Sequence, residues 1–233
     1  MNAVWASKAY SLFDTLLWIA CLNLLWLGFT LGGLVLFGAG PSTIAAHELV
    51  RRRVQGDVAP LTRAFWHSYR HNFVRGNVLG VTVIVVGTML LSNWKYFSVE
   101  LTFTAQLISV VVALLALIFT AAVCYLFPMY VRYELPVLRY FLQSSRFALR
   151  YLASTVLLLF VTVAIGYVSL LLPGLILFFS IGIWLYLVGW LCEKFFTAND
   201  KAIAEAAEAT PSNAASVRQA AMRAGQKELV SRG

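Results

Sequence analysis

The sequence predicts an all-α, polytopic membrane protein with five transmembrane helices. Of its 233 residues, 61% are apolar and 12% charged, whereas soluble domains carry about 25% charged residues. Apolar runs at about 12–39, 76–93, 102–127, 151–172 and 175–192 each approach or exceed the ~20 residues with which a helix crosses a bilayer. Sixteen of the eighteen Lys and Arg fall in alternate gaps between those runs, and only Lys8 and Lys95 fall in the others. Bilayer proteins keep Lys and Arg in short cytoplasmic loops. The pattern therefore predicts N-terminus outside and C-terminus inside, with residues 1–196 as the membrane domain and 197–233 as a cytoplasmic tail.

The first run is too long for the apolar core of a cleavable signal and lacks a basic lead-in, so it is expected to be retained. Gly40-Pro41 is expected to close it, and an inner helix then runs from Ser42 to Val54 until Gly56-Asp57 stops it. That helix ends in Arg51, Arg52 and Arg53. A second inner segment, 61–74, sets Phe65, Trp66, Tyr69 and Phe73 on one helical face and Arg63, His67 and Arg70 on the other. Such a helix lies in the headgroup plane. Arg75 completes the basic gap before the second run.

Between the third and fourth runs the same device recurs. Leu138, Phe141, Leu142, Leu149 and Leu152 oppose Arg139, Gln143, Arg146 and Arg150, with Arg132 just upstream. As one helix, residues 151–191 would be ~60 Å long, twice the hydrocarbon thickness of ~30 Å. Pro173-Gly174 must therefore turn the chain between the last two spans. The tail carries Lys194, Lys201, Arg218, Arg223, Lys227 and Arg232. Being Ala-rich and polar, it is expected to be loosely helical or partly disordered, with a break at Thr210-Pro211.

The two inner amphipathic segments align at one constant offset: Pro60 with Pro136, Arg63 with Arg139, Phe65 with Phe141, Ser68 with Ser144, and Arg70 with Arg146. Either the chain contains a parallel repeat of span, interfacial helix and span, or two basic amphipathic helices have converged on similar residues. Small residues also recur with matched spacing, Gly28, Gly32 and Ala39 in the first span and Gly76, Gly80 and Gly87 in the second. These narrow faces are predicted to pack together; the alternative is the general abundance of Gly in membrane helices.

Chemistry is sparse. His67 and His71 have the i, i+4 spacing of a shared metal, near His47 and Glu48, but none of the strong metal spacings is present. A polar headgroup contact is the expected role, and no metal or cofactor is predicted. Cys21, Cys124 and Cys192 lie in or beside spans at unrelated spacings and are read as small apolar fillers. Asn23 and Gln106 are the candidate intramembrane polar contacts, and an interhelical hydrogen bond is the favoured role for each. No ionisable residue sits at depth, since Asp14 and Glu100 fall near the predicted outer boundary. The sequence holds no phosphate loop, paired carboxylates or nucleophile set, so no enzyme is expected. The basic inner faces, Arg51, Arg52, Arg53, Arg63, Arg70, Arg139, Arg146 and Arg150, suit anionic lipid headgroups or a membrane partner better than nucleic acid.

The stretch Leu22-Asn23-Leu24-Leu25-Trp26, followed by Gly40-Pro41-Ser42-Thr43-Ile44-Ala45, resembles the first span and inner turn of the bacterial YesL family of small integral membrane proteins. Gly40, Pro41, Thr43 and Ala45 are the turn positions that match. The segment Phe65-Trp66-His67-Ser68-Tyr69-Arg70-His71-Asn72-Phe73-Val74-Arg75-Gly76 is similar to the same family's aromatic and basic approach to span two. The similarity reaches from Leu12 to about Phe196. It departs at Gly32-Gly33, where a Pro-containing stretch is commoner. Such proteins are often encoded beside binding-protein-dependent sugar importers and polysaccharide-degrading enzymes. The resemblance therefore implies a non-enzymatic accessory protein of carbohydrate import in the bacterial cytoplasmic membrane, with ABC importer subunits or further copies of itself as partners. Two other readings stay open: a small homo-oligomeric transporter or channel, and a lipid-organising scaffold.

Overall fold

The computed structural model describes the backbone of residues 2–57 and 60–230 and the side chains of residues 10–57 and 60–206. Lys8, Arg218, Arg223, Lys227 and Arg232 of the charge pattern have side chains outside that range. The described residues are helical, with no strand: α1 (Asn2–Gly32), α2 (Leu36–Val54), α3 (Leu61–His71), α4 (Phe73–Val99), α5 (Phe103–Arg132), α6 (Val137–Arg150), α7 (Leu152–Leu171), a single π-helical turn (Ile176–Ser180) and α8 (Ile181–Val230). Five stretches are long and apolar enough to cross a membrane: Tyr10–Gly32, Phe73–Val99, Phe103–Arg132, Leu152–Leu171 and Ile176–Ala206. The chain is a multi-pass membrane protein. It forms two compact units, Met1–Glu193 and Lys194–Gly233. The backbone of α8 stays helical through Thr210-Pro211, where the sequence suggests a break.

The first expected span is not one helix. After Gly32 the chain reverses, and α2 returns along α1. Leu34 and Val35 both have positive φ, 56° and 63°, and the Leu36 N–H donates to the Leu34 carbonyl at 2.7 Å. Val35, at ψ −60°, is the centre of a γ-turn of the rare positive-φ kind. Non-glycine residues in that region cost about 1–2 kcal/mol each, so the neck beneath must hold the turn closed. It does so by close approach. A Cβ on Gly33 would lie 2.4 Å from the Gly38 Cα, and one on Gly38 would lie 2.4 Å from the Thr30 carbonyl oxygen. Further down, the Trp26 indole N–H donates to Thr43 Oγ1 at 3.0 Å, and Thr43 Oγ1 donates to the Ala39 carbonyl at 2.7 Å.

At its open end the hairpin brings Asp14 to Arg53, Oδ2 to Nη2 at 2.8 Å, with the Arg53 guanidinium 4.8 Å from the Trp18 ring centroid. The sequence places Asp14 at the outer boundary, one crossing away from the Arg51–Arg53 run. The structure places both at one end of the molecule, because the reversal occurs within the apolar run. Gly40-Pro41, expected as the inner turn, lies instead inside α2.

The glycine faces also pair differently. A Cβ on Gly28 or Gly32 would meet nothing within 4 Å, and one on Gly87 would meet only the edge of Phe119 at 3.6 Å. Gly76 and Gly80 of α4 pack instead on α2. A Cβ on Gly40 would lie 2.0 Å from the Gly76 carbonyl oxygen, one on Gly80 2.6 Å from the Gly40 Cα, and one on Gly76 2.8 Å from the Pro41 Cα. The order, Gly40 at Gly80 and Pro41 at Gly76, makes α2 and α4 antiparallel. Once α2 turns back, it is the small-residue surface that α4 meets.

From there the order of elements repeats. One helix runs toward the Arg end, a short amphipathic helix follows a proline, and one helix runs away: α2, α3, α4 and then α5, α6, α7. Pro60 and Pro136 open α3 and α6 with similar φ, −63° and −61°. Ser68 and Ser144 are both buried, while Arg63, Arg70, Arg139 and Arg146 are all exposed. The leucines of α6 do not serve as its packing face, however: Tyr140, Ser144, Phe147 and Ala148 are buried, and Leu138, Leu142 and Leu149 are exposed.

Gly40→Ala is expected to force α2 and α4 apart, at a cost of about 2–3 kcal/mol or more. Gly28→Ala, with open space around it, should be neutral or raise stability by up to about 1 kcal/mol. Thermal unfolding of the two purified variants in one detergent measures the difference.

Candidate functional site

Three segments distant in sequence meet at the Arg end of the bundle. Arg132, at the end of α5, donates from Nη1 to Glu193 Oε1 of α8 at 2.7 Å, with the two side chains only 14% and 15% exposed. Arg51 of α2 reaches toward the same carboxylate, Nε to Oε2 at 3.9 Å, and donates from Nη1 to the Val131 carbonyl at 2.9 Å. A carboxylate this sheltered is stable only beside cations that also hydrogen-bond it, and α5 supplies one at close range.

A second tie lies beside it. Arg52 Nη2 donates to Glu48 Oε1 at 2.6 Å, and the Ser68 hydroxyl of α3 donates to the other Glu48 oxygen. Asn72, at the α3–α4 junction, donates to the Ser68 carbonyl at 3.1 Å and accepts from the Tyr130 hydroxyl at 3.0 Å. Across the gap, the Tyr140 hydroxyl donates to the Tyr133 carbonyl at 2.6 Å and accepts from the Leu135 N–H at 2.8 Å. These bonds frame an open cleft of about 920 Å³, lined by Glu48, Arg51, Arg52, Arg75, Arg132 and the 130–136 segment among others.

The eight arginines expected to form one surface divide in two. Arg51, Arg52 and Arg53 are partly buried and held by Glu193, Glu48 and Asp14. Arg63, Arg70, Arg139, Arg146 and Arg150 are exposed on α3 and α6, where Arg70 lies over Trp66 and Arg150 over Tyr151 at 5.3 and 5.7 Å. Glu193 does not figure in the sequence pattern, and Arg75 and Arg132 enter it only as topology charges, outside the eight-arginine surface. The available signal was an acid, next to Lys194, at a span end where cations are the rule.

Asn23 is fully buried. Its Nδ2 donates to the Leu177 and Ile176 carbonyls at 2.7 and 3.3 Å, and its Oδ1 accepts from the Gly182 N–H at 2.7 Å. Both amide ends thus pair backbone groups on the two sides of the junction between the π-turn and α8, where the helical ladder is displaced. Gly182 permits the approach, since a Cβ there would lie 2.5 Å from the Ile19 carbonyl oxygen. Gln106, by contrast, is exposed on α5.

His67 and His71 stack in parallel at 6.3 Å between centroids, both exposed. His47 is buried elsewhere, edge-on to Trp184 at 6.4 Å, with Nδ1 unpartnered. Among the described residues no three His, Cys, Asp or Glu side chains stand where they could hold a metal ion. Cys124 and Cys192 are buried and Cys21 exposed, all three as free thiols.

Asn23→Leu is expected to leave the Gly182 N–H and the Leu177 carbonyl without their partner, lowering stability by about 2 kcal/mol. Thermal unfolding in detergent should show the loss.

The family described as "Protein of unknown function, DUF624" matches residues 19–94, which takes in the second half of α1, all of α2 and α3, and most of α4. Among curated proteins the chain is similar to three from Bacillus subtilis, strain 168, each described as uncharacterized. With YesV it is 33% identical over 185 residues, 77% of this chain and 87% of the relative. With YteU it is 32% identical over 69% of this chain and 72% of the relative, and with YesL 28% identical over 78% and 87%. No solved structure matches. The Asn-Leu-Leu-Trp stretch of α1 and the Gly40–Ala45 stretch of α2 both lie inside the matched segment, and with relatives aligned over most of its length the chain belongs to the YesL-like DUF624 family.

Proposed function

We propose that this protein is a non-enzymatic accessory component of the bacterial cytoplasmic membrane that serves carbohydrate import by a binding-protein-dependent ABC transporter. Its partner surface is the Arg end, facing the cytoplasm. The observation that supports this reading most is the distribution of polar structure. Both ion-pair ties, the large polar cleft and the amphipathic helices α3 and α6 gather at one end, while at the other end α4 meets α5, and α7 the π-turn, through connections of a few residues. A protein so arranged presents little to the outside and a fixed, charged relief to the inside.

The orientation in this reading is taken from the same end. Lys and Arg remain cytoplasmic, and Asp14 and Glu193 are tied to them. In this reading the segment around Asp14 and the inner end of the last span therefore both face the cytoplasm. Importer association itself is drawn from the family resemblance. A transporter would route its pathway past Asn23 and Gln106, but Asn23 is engaged inside the bundle on both of its polar atoms and Gln106 is exposed on α5.

Affinity purification of the chain from its native membrane in mild detergent is expected to recover importer subunits in near-stoichiometric amounts. Deletion should slow oligosaccharide uptake severalfold without changing importer abundance. Recovery of the chain alone, together with unchanged uptake, contradicts the proposal.

A further inference from the structure

The cleft at the Arg end has chemistry that importer association does not require. We propose that it binds an anionic group of the phosphate class, seated against Arg75 and Arg51. Its walls are fixed without a ligand: Tyr130 holds Asn72, Arg51 holds the Val131 carbonyl, and Tyr140 holds the backbone at Tyr133 and Leu135. Four guanidinium groups line it, from α2, α4 and α5. Three of them have a carboxylate in reach, Glu48 for Arg52 and Glu193 for Arg132 and Arg51. Arg75 makes no ion pair among the described residues; its recorded neighbour is the Tyr130 hydroxyl.

Arg51 is also incompletely matched. Its Nε, 3.9 Å from Glu193, is shielded from solvent and has no hydrogen-bond partner, while the side chain as a whole is 35% exposed and lines the cleft. The cleft thus presents guanidinium donors in excess of acceptors on a rigid wall. A tetrahedral oxyanion fits this donor set, because its oxygens accept from two forks at once and its charge matches the unpaired cation. Three acids also line the cleft. Glu48 is already engaged by Arg52 and Ser68, while Asp57 and Glu134, like Arg75 itself, are exposed, so the charges at the mouth of the cleft are all weakened by solvent and salt.

The same group is carried by the headgroup of an anionic phospholipid and by a soluble phosphate ester. The cleft is within reach of both, since it borders α3 and α6 at His71 and Pro136. Thermal unfolding of the full chain, followed by tryptophan fluorescence, separates them. One arm titrates inorganic phosphate and glycerol 3-phosphate in detergent at matched ionic strength. The other compares nanodiscs of phosphatidylcholine with and without phosphatidylglycerol.

A midpoint rise of about 3–5 °C at saturation is expected in at least one arm. A rise in the first assigns a soluble ester, and a rise in the second alone assigns the headgroup. Arg75→Gln should weaken the response on the order of tenfold, whereas Arg146→Gln, exposed on α6 and outside the cleft, should leave it unchanged. No rise in either arm, or a rise reduced equally by both substitutions, overturns the site.

Discussion

The structure depends on a carboxylate that three helices share. Glu193 stands at the Arg end of the last apolar stretch, only 15% exposed, and Arg132 and Arg51 come to it from α5 and α2. Burying an ion pair costs several kcal/mol of desolvation per ion, and breaking one later costs about 3–5 kcal/mol. Such a tie therefore does less to raise stability than to select one arrangement of helices. Here it sets α2, α5 and α8 end to end at one level, and the Arg52–Glu48–Ser68 tie adds α3 beside them. In hydrocarbon, where apolar packing alone gives little preference between registers, that choice of level decides which surfaces meet.

Two consequences follow in packing. With its Arg-bearing end fixed, α2 must run antiparallel to α4, and the Gly40, Gly76 and Gly80 backbones then touch. The hairpin of α1 and α2 must close within the remaining length, which from Leu36 to Arg51 is about 23 Å at the helical rise, short of the ~30 Å hydrocarbon thickness. The reversal at Leu34 and Val35 is strained and its tip is wholly apolar: Leu31, Leu34, Val35, Leu36 and Phe37 are all exposed. Asn23 then locks α1 to the displaced backbone at the π-turn, so the first helix is held at both the tip and the middle of its length.

Much of this was legible in the sequence, and the exceptions have a common cause. The later spans, the short outer connections and the two amphipathic helices after Pro60 and Pro136 all appear in hydropathy and charge, because lipid imposes those patterns directly. The hairpin does not appear. Its turn residues are as apolar as a span, and only Gly32-Gly33 interrupts them. The charge pattern separates Asp14 from Arg51–Arg53 by one crossing, whereas the return of the chain through α2 brings Asp14 and Arg53 together. The glycine pairing failed for the same reason, since Gly28 and Gly32 lie on a helix that α4 does not meet. Asn23 was legible as an intramembrane polar residue, but its partners are backbone atoms of a π-turn that no side-chain pattern announces. Glu193 stands out least, because an acid beside Lys194 adds nothing to the charge pattern that hydropathy and Lys/Arg counts reveal.

The central claim is that the hairpin brings the first helix back to the Arg end, so that Ser11, Asp57 and the Arg ties share one face and Glu100 lies at the other. Cysteines introduced one at a time at Ser11, Asp57 and Glu100, in a chain whose exposed Cys21 is replaced by Ala and whose buried Cys124 and Cys192 are kept as the background control, can be probed in intact cells with a membrane-impermeant maleimide. The account predicts that Ser11→Cys and Asp57→Cys are both protected until the membrane is permeabilised, while Glu100→Cys reacts at once. Prompt labelling of Ser11→Cys together with Glu100→Cys, with Asp57→Cys protected, would contradict it.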